Sequence, residues 1–155
     1  MDKQEFADRA QAMRERLYRT AYGYLGNPHD SLDAVDEAVY QGFRARRSLR
    51  QPEFFETWLT RILMNVCVKQ LRRQARVALT DVPPETAAPP SDHLPLREAI
   101  RSLPEDLRQV IILRYFTGLT LSETAAALGI PQGTAATRQR RALALLRIEL
   151  EEDAI

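Results

Sequence analysis

Polar side chains that suit nucleic-acid recognition are crowded into one short segment of the chain. They are Thr134, Thr137, Arg138, Arg140 and Arg141. Arginine reads guanine edges in the major groove of DNA or holds phosphate oxygens, and threonine hydroxyls contact either partner. No acidic residue lies between positions 134 and 148 to neutralise these charges. The segment therefore predicts a surface that binds duplex DNA, and a helical hairpin with a solvated arginine face is the alternative.

The residues around this segment predict the element that would present it, a helix-turn-helix over residues 119–147. Thr120 precedes an apolar repeat and Glu123 follows three residues later, which is the spacing of a capping box at a helix start. Gly129 suits the left-handed conformation that ends a helix. Because a helix-turn-helix places the front of its second helix in the major groove, the arginine segment has the expected position.

The second helix of this element is predicted to begin after Pro131 and Gly133, with Thr134 as its capping residue. Three apolar side chains should face inward from it: Ala142, Leu145 and Leu146. The basic side chains would then lie on the opposite, exposed face.

The composition limits the class of protein. The chain has 155 residues, a formal net charge of +1 and 45% hydrophobic residues, which is enough for ordinary globular cores. No apolar run approaches the roughly 18 residues of a membrane span, and the N-terminus does not resemble a signal peptide. We therefore expect a cytoplasmic protein that does not insert into a membrane by itself. Cys67, the single cysteine, excludes an internal disulfide and a multi-cysteine zinc site.

A proline-rich segment divides the chain. Residues 78–95 contain five prolines and few large apolar side chains, so they predict an extended tether between domains at 1–77 and 96–155. The formal charge is +4 over residues 1–76, −3 over residues 77–95 and zero over the second domain. A protein that wraps nucleic acid everywhere would be more basic. Local basic patches used beside a protein partner are therefore expected.

Both domains are predicted to be helical, because apolar residues recur at intervals of three and four and no segment alternates like a strand. The first helix starts from Asp2 and Glu5, which have capping-box spacing, and runs through residues 6–21. A second helix opens at Asn27-Pro28, a capping residue followed by proline in the first turn, and ends near Phe43.

The helical pattern breaks over residues 48–52, and a long third helix follows. Its predicted inward side chains are Phe54, Phe55, Trp58, Leu59, Ile62, Leu63, Val66 and Leu71. Two further helices, over residues 96–103 and 105–116, lead into the helix-turn-helix. The expected fold class is all-α, with two small helical domains.

Four segments, in order along the chain, resemble the motifs of one bacterial family. They are DSLDAVDEAV at 30–39, FETWLTRILMN at 55–65, LPEDLR at 103–108 and GTAATR at 133–138. By these motifs the chain is similar to the extracytoplasmic-function sigma factors of the sigma-70 family, with a sigma-V-like variant of the middle motifs. The resemblance spans nearly the whole chain. It implies a transcription initiation factor built from a region 2 helical bundle and a region 4 helix-turn-helix.

The resemblance implies that core RNA polymerase is a partner, bound at its clamp coiled coil by the first domain and at its flap by the second. The implied polymerase-binding residues are Asp30, Asp33, Asp36, Glu37 and Tyr40. Acidic side chains suit docking on a basic surface, and acids near a helix N-terminus are also favourable without any partner. The family usually has glutamine at the position of Asp36, which leaves that contact open.

The resemblance also implies that the first domain captures the melted minus-ten element of promoter DNA. The implied contacts are Leu49, Arg50, Phe54, Arg61, Asn65, Lys69, Arg72 and Arg73. A single strand is read by bases flipped into pockets and by basic side chains that hold its phosphates. Asn65 matches an asparagine that hydrogen-bonds an extruded base, whereas Trp58 is predicted to belong to the core.

The second domain would bind the duplex minus-thirty-five element through the five threonine and arginine side chains of residues 134–141. The sequence does not divide them between base and phosphate contacts. Ala136 stands where many relatives carry a basic residue, so one contact is expected to be missing, and Arg140 is the candidate replacement. An anti-sigma factor that covers the polymerase-binding surfaces is a further implied partner.

Other classes of function fit the sequence less well. An enzyme is disfavoured, because no phosphate-binding glycine loop and no nucleophile paired with a base is found, so neither a cofactor nor a catalytic residue is expected. A metal cluster of His29 with the neighbouring acids lacks a second half-site. A free-standing helix-turn-helix regulator leaves the helix around Asn65 and the tether without a role. A decoy that binds polymerase but not promoters remains an alternative, because Ala136 stands where many relatives carry a basic residue.

Overall fold

The computed structural model describes the backbone of residues 1–78 and 94–153 and the side chains of residues 1–78 and 95–148. The described residues form two compact units, one before and one after the gap. The predicted tether lies outside the described residues except at its ends, where helices extend to Ala78 and begin at Leu94. Every regular element within the described ranges is helical, in agreement with the all-α prediction. None of these helices is long and apolar enough to cross a membrane.

Four α-helices build the first unit. They are α1 (Lys3–Ala12), α2 (Arg14–Leu25), α3 (Pro28–Ala45) and α4 (Phe55–Ala78). Two short 3₁₀ turns, Arg46–Ser48 and Pro52–Phe54, lie between α3 and α4. The three longer helices pack on one another, and α1 contacts both α2 and α3.

The single helix predicted over residues 6–21 is in fact two helices with a turn at Met13. The backbone there leaves helical geometry, with φ −106° and ψ 11°, and the Met13 amide donates to the Ala10 carbonyl at 3.2 Å. The apolar stripe continues through the turn without a change of register, because Phe6, Met13 and Leu17 are all buried. Periodicity alone therefore does not show the break.

The predicted helix starts of the first unit are confirmed at α1 and α3. The Asp2 carboxylate accepts a hydrogen bond from the Glu5 amide at 2.7 Å. The Asn27 side chain accepts one from the Asp30 amide at 2.8 Å, and Pro28 lies in the first turn. These bonds satisfy amide groups that a helix start leaves without intrahelical partners.

The core of the first unit is built around Phe6. Its ring meets the rings of Phe43 and Phe55 edge to face, with centroid separations of 5.7 and 5.6 Å. α3 approaches α4 closely at Gly42, where a Cβ atom would lie 2.8 Å from Leu59 Cδ1. These contacts fix the start of α4 against α1 and α3.

The inward face predicted for α4 is wrong at its first residue. Phe54 lies in the second 3₁₀ turn and is 53% exposed, whereas Phe55 is fully buried. Three of the other predicted inward side chains are half-buried: Trp58, Ile62 and Leu71. Cys67 is buried. Phe54 lies outside the core because α4 starts only at Phe55. The prediction placed Phe54 inward because it continued the helical spacing of apolar residues one position too far towards the N-terminus.

Four α-helices also build the second unit. They are α5 (Leu94–Ser102), α6 (Glu105–Ile111), α7 (Leu121–Leu128) and α8 (Gln132–Asp153). A π-helical segment, Ile112–Thr117, continues α6 and ends at Gly118, which has a left-handed φ of 86°. Helix α8 packs against the other three α-helices of the unit. One core cluster contains Ala99, Ile100, Leu103, Leu107, Ile111, Ala142 and Leu146.

The buried face of α8 differs from the prediction at Leu145. Ala142 and Leu146 are buried, but Leu145 is 39% exposed. At about 100° per residue, Leu145 points roughly 100° away from Leu146. Ala135, which the sequence analysis did not include, shares the buried face of Ala142. The face that α8 buries is therefore too narrow to include Leu145.

Candidate nucleic-acid and protein interfaces

Local hydrogen bonds set the helix-turn-helix of the second unit. The Thr120 hydroxyl accepts from the Glu123 amide at 3.1 Å, and the Glu123 carboxylate accepts from the Thr120 amide at 2.9 Å. This is the predicted capping box of α7. Gly129 ends α7 with a left-handed φ of 66°, also as predicted. The chain then needs only residues 129–131 to turn into α8.

The start of α8 differs from the prediction. The helix begins at Gln132, and the Ala135 amide donates to the Pro131 carbonyl at 3.1 Å. Thr134 therefore lies within the first turn and does not cap the helix. Proline tolerates this boundary because its ring fixes the backbone angle and it has no amide hydrogen to leave unpaired. The side chain of Thr134 consequently belongs to the front of α8.

The residues predicted to bind duplex DNA come together on α8. At about 100° per residue, four of them fall within an arc of roughly 100°: Thr134, Thr137, Arg138 and Arg141. Arg140 lies roughly 60° outside this arc, on the side of Thr137, and its guanidinium donates to the Thr137 hydroxyl at 3.4 Å. Arg140 and Arg141 are exposed, and the other three are half-buried.

Two more contacts hold side chains of the set to other residues of the unit. Arg138 Nε lies 3.9 Å from Asp106 Oδ2 at the start of α6, and the Thr137 hydroxyl donates to the Gly133 carbonyl at 3.0 Å. An ion pair at this exposure contributes little to stability and costs little to break. Arg141 has no ion pair among the described side chains. Of the three arginines in the set, Arg141 is therefore the one that a ligand could engage without displacing a contact described within the unit.

Arg114, which the sequence analysis missed, ties the two helices of the helix-turn-helix together. Its Nε donates to the Gln139 side chain on α8 at 2.9 Å, and its Nη1 donates to the Leu119 carbonyl before α7 at 2.6 Å. The side chain is half-buried, so both bonds lie in a partly desolvated site. No periodic signal marks Arg114, because in the sequence it is one more basic residue of a helix.

Five of the eight residues predicted to bind the melted strand lie along α4. They are Arg61, Asn65, Lys69, Arg72 and Arg73, and all five are exposed. Residues three or four apart share a helix face, so the spacing places them along one side of α4. The last four also line a groove of about 970 Å³ between α3 and α4. This α3–α4 groove therefore has one polar and mostly basic wall.

The other three predicted minus-ten residues lie before α4, in the α3–α4 loop (residues 49–54). Leu49 is half-buried, whereas Arg50 and Phe54 are exposed. From Phe54 to Asn65 the chain rises about 16 Å along the helix axis. The structure thus places the eight residues in two groups at different levels of α4, not in one pocket.

Asp36, one of the predicted polymerase-binding acids, is held in an ion pair. Arg14 Nη2, on α2, donates to Asp36 Oδ1 at 2.9 Å, and the two side chains are 40% and 64% exposed. At that exposure the pair contributes about 0–1 kcal/mol. A partner that offers a better cation can therefore displace Arg14 at little cost.

The remaining predicted polymerase-binding residues also have local contacts. The Asp30 carboxylate accepts hydrogen bonds from the Asn27 side chain at 2.8 Å and from the Gln74 side chain at 3.3 Å. Asp33 Oδ2 lies 3.4 Å from His29 Nε2, and the Glu37 carboxylate accepts from the Gln41 side chain at 2.9 Å. The Arg44 guanidinium is 5.8 Å from the Tyr40 ring centroid. Asp33, Glu37 and Tyr40 are exposed, whereas Asp30 is half-buried. The exposed acids Asp33, Asp36 and Glu37 form an acidic face on α3, and Tyr40 lies among them.

Two grooves flank this acidic face. Asp33 and Glu37 line the α3–α4 groove together with Asn65. Asp36 and Tyr40 border a second groove of about 400 Å³, between α1 and α3, whose lining is mostly apolar. The predicted polymerase-binding and minus-ten residues therefore meet in the first groove, which the sequence did not indicate.

A cluster of possible metal ligands lies at the start of α3. His29, Asp30 and Asp33 bring one ligand atom each within 4.8 Å of one another. The side chains of His29 and Asp33 are exposed, and Asp30 is already bonded to Asn27 and Gln74. Carboxylates are favourable at a helix N-terminus without an ion. Helix capping is therefore a sufficient explanation, and we assign no metal to the cluster.

Known proteins match both units. The family described as Sigma-70 region 2 matches residues 10–77, and the family described as Sigma-70, region 4 matches residues 99–147. RNA polymerase sigma factor SigV of Bacillus subtilis is 33% identical over 147 residues, covering 90% of this chain and 87% of the relative. ECF RNA polymerase sigma factor SigW of the same organism is 30% identical over 171 residues, covering 97% and 91%.

A solved structure shares the fold. The sigma factor RpoE of Bartonella quintana, determined in complex with the anti-sigma factor NepR, aligns with a TM-score of 0.71 and 24% sequence identity. The alignment covers 96% of this chain and 98% of that chain. The likeness concerns the arrangement of the helices.

Proposed function

The chain belongs to the sigma-70 family of RNA polymerase sigma factors, in its extracytoplasmic-function group, and from that membership we propose how its surfaces are used. It is a transcription initiation factor and not an enzyme. We propose that α3 docks on the clamp of core polymerase, and that α4 and the α3–α4 loop capture the melted minus-ten strand. The second unit contacts the polymerase flap and reads the duplex minus-thirty-five element with α8.

One observation carries this assignment: the α3–α4 groove has walls of opposite charge. Asp33 and Glu37 line it from α3, whereas Lys69, Arg72 and Arg73 line it from α4. A nucleic-acid strand is attracted to the basic wall and repelled by the acidic one. The acids therefore suit a different partner with a basic surface. A basic protein surface docked on α3 and a DNA strand lying along α4 give each wall a partner of opposite charge.

We further propose that an anti-sigma factor controls the chain by covering the α3 face. The groove between α1 and α3 supports this, because it is mostly apolar and Tyr40 at its border is 56% exposed. An amphipathic helix of a partner would bury that surface. The fold shared with RpoE, which was solved bound to an anti-sigma factor, is a further support. Such a partner would compete with polymerase for α3.

Run-off transcription with core RNA polymerase tests the proposed function. We expect transcripts from a restricted set of promoters, whose sequences then define both elements. The isolated protein should bind duplex DNA weakly, because few phosphate contacts from α8 supply only modest affinity. No gain of transcripts over core polymerase alone contradicts the proposal, and tight operator binding without polymerase would favour a free-standing regulator.

Asn65→Ala should impair recognition of the minus-ten element and leave polymerase binding intact. Asn65 is exposed in the α3–α4 groove, so the substitution removes an amide that can bond an extruded base without opening the core. We expect a loss of roughly 2- to 12-fold in promoter use, the effect of one hydrogen bond. The measurement is run-off from promoters that vary only in the minus-ten element.

The matched control for this variant is Gln41→Ala, which removes another exposed amide that lines the same groove from α3. It should leave the response to minus-ten changes unaltered. If the Asn65 variant and the parent protein respond alike to every minus-ten change, the role proposed for Asn65 is wrong.

A further inference from the structure

Arg9 makes a long-range contact outside the surfaces proposed to bind polymerase and DNA. It lies near the end of α1, and its Nη2 donates to the Pro52 carbonyl at 2.7 Å, 43 residues further along the chain. Pro52 lies in the middle of the α3–α4 loop. A guanidinium donor makes a stronger bond to a carbonyl than a neutral donor does. The loop backbone is thus tied to a helix that is remote in sequence.

The Arg9 side chain is held in place by further contacts. Its guanidinium lies over the Phe55 ring, 4.7 Å from the centroid, and its Nη1 is 3.8 Å from Glu5 Oε1. Phe55 is fully buried and packs against Phe6, so the surface under the guanidinium is rigid. Arg9 therefore offers Pro52 a fixed donor.

The loop has few contacts of its own that would define its shape. Arg50, Gln51, Glu53 and Phe54 are exposed, and only Leu49 in this loop is half-buried. Two backbone bonds hold the turn: the Phe54 amide donates to the Gln51 carbonyl at 3.0 Å, and the Phe55 amide donates to the Pro52 carbonyl, which Arg9 also contacts. The 3₁₀ turn at Pro52 has no side-chain cap. The Arg9 bond therefore adds a restraint from outside the loop to a segment whose side chains are mostly exposed.

We infer that Arg9 is a positioning residue for minus-ten recognition, because it holds the α3–α4 loop in the shape that receives the melted strand. Arg9 acts through the Pro52 carbonyl and needs no contact with DNA. A loop that is already ordered loses less conformational entropy when the strand binds. This inference rests on the proposed role of the loop as part of the minus-ten surface.

Arg9→Gln tests the inference in the holoenzyme reconstituted with core polymerase. The probe is a single-stranded oligonucleotide that carries the minus-ten element recovered by run-off. We expect roughly 12- to 150-fold weaker binding of this probe, the effect of losing one hydrogen bond from a charged group. Affinity for core polymerase should not change. Arg9→Lys, which keeps a charged donor but loses the flat stacking face, should recover part of the binding.

Hydrogen exchange supplies a readout that a general loss of stability would not reproduce. In Arg9→Gln the Phe54 amide should exchange faster, whereas amides in the middle of α4 should keep their protection. The matched control is Arg16→Gln, because Arg16 pairs with Glu56 of α4 at 3.3 Å and does not bond the loop backbone. This control removes the same charge and should leave both the exchange rate and probe binding unchanged.

The outcomes separate this inference from the proposed function. If Arg50→Ala and Phe54→Ala weaken probe binding but Arg9→Gln behaves like Arg16→Gln, the positioning role is wrong and the loop assignment stands. If neither loop substitution weakens binding, the loop is not part of the minus-ten surface, and the inference fails with it. If the Arg9→Gln protein is less stable overall, the Arg9→Lys protein is the test. If Arg9→Lys has normal stability but binds the probe as weakly as Arg9→Gln does, the role of the charged donor is wrong.

Discussion

Replacing Phe6 with alanine should lower the unfolding free energy of the first unit by about 3–5 kcal/mol. Phe6 is 2% exposed, and its ring packs edge to face against Phe43 and Phe55. The substitution therefore leaves a cavity where α1, α3 and α4 meet. Urea denaturation followed by the fluorescence of Trp58 measures the effect, because this single tryptophan lies beside Phe55 in the same unit.

Phe54→Ala is the matched control, since it deletes the same ring from a side chain that is 53% exposed. Its unfolding free energy should stay within about 0.5 kcal/mol of the parent protein. Because Phe54 is a proposed minus-ten contact, this variant should fold normally and lose promoter use. Equal destabilisation by the two substitutions would contradict the packing described for Phe6.

Arg141→Ala should produce the largest loss of promoter recognition of any single substitution in α8. Arg141 is exposed within the shared arc of the proposed DNA-binding face, and it has no ion pair among the described side chains. A bidentate contact with guanine discriminates by about 1–3 kcal/mol, which corresponds to roughly 5- to 150-fold in promoter use. Run-off from promoters that vary only in the minus-thirty-five element measures it.

The dependence on sequence and salt identifies the kind of contact. If Arg141 reads a base, the variant should lose discrimination at one position of the minus-thirty-five element. If it holds a phosphate, binding should weaken alike on all sequences and the salt slope should fall by about one unit. No change in either quantity would exclude Arg141 from the interface.

Arg140→Ala is the comparison variant, because Arg140 carries the same charge but lies roughly 100° around α8 from Arg141. Its guanidinium also donates to Thr137. We expect a smaller loss of promoter use from this variant. A larger loss would show that Arg140 replaces the contact missing at Ala136 and that the DNA-facing arc is centred closer to it.

The features that the sequence predicted well are those set by residues three or four apart. Asn27 caps α3, Thr120 and Glu123 form the capping box of α7, and Gly129 ends that helix. Each of these follows from a hydrogen bond or a backbone angle that local residue types decide. The family motifs are local in the same sense, so the family and the fold class could be read from them.

The errors occur where a local pattern has more than one solution. The apolar stripe of the first helix passes through Met13 without a change of register, so it fits one helix as well as two. Thr134 is a residue type that often caps helices, but α8 begins earlier, because the Pro131 carbonyl already accepts the hydrogen bond from the Ala135 amide. Phe54 and Leu145 are apolar, and hydrophobicity alone does not say which apolar side chains the core has room for.

What the sequence determined by itself is the family, the all-α class, the helix ends marked by Asn27, Thr120 and Gly129, and the residue types proposed to contact polymerase and DNA. Only the tertiary structure decided which of those residues meet. It pairs Asp36 with Arg14, places Asn65 beside the acids of α3, and ties Arg9 to Pro52. The physical reason is that contacts between residues far apart in sequence depend on how whole helices pack, and no periodicity within one helix records its neighbours.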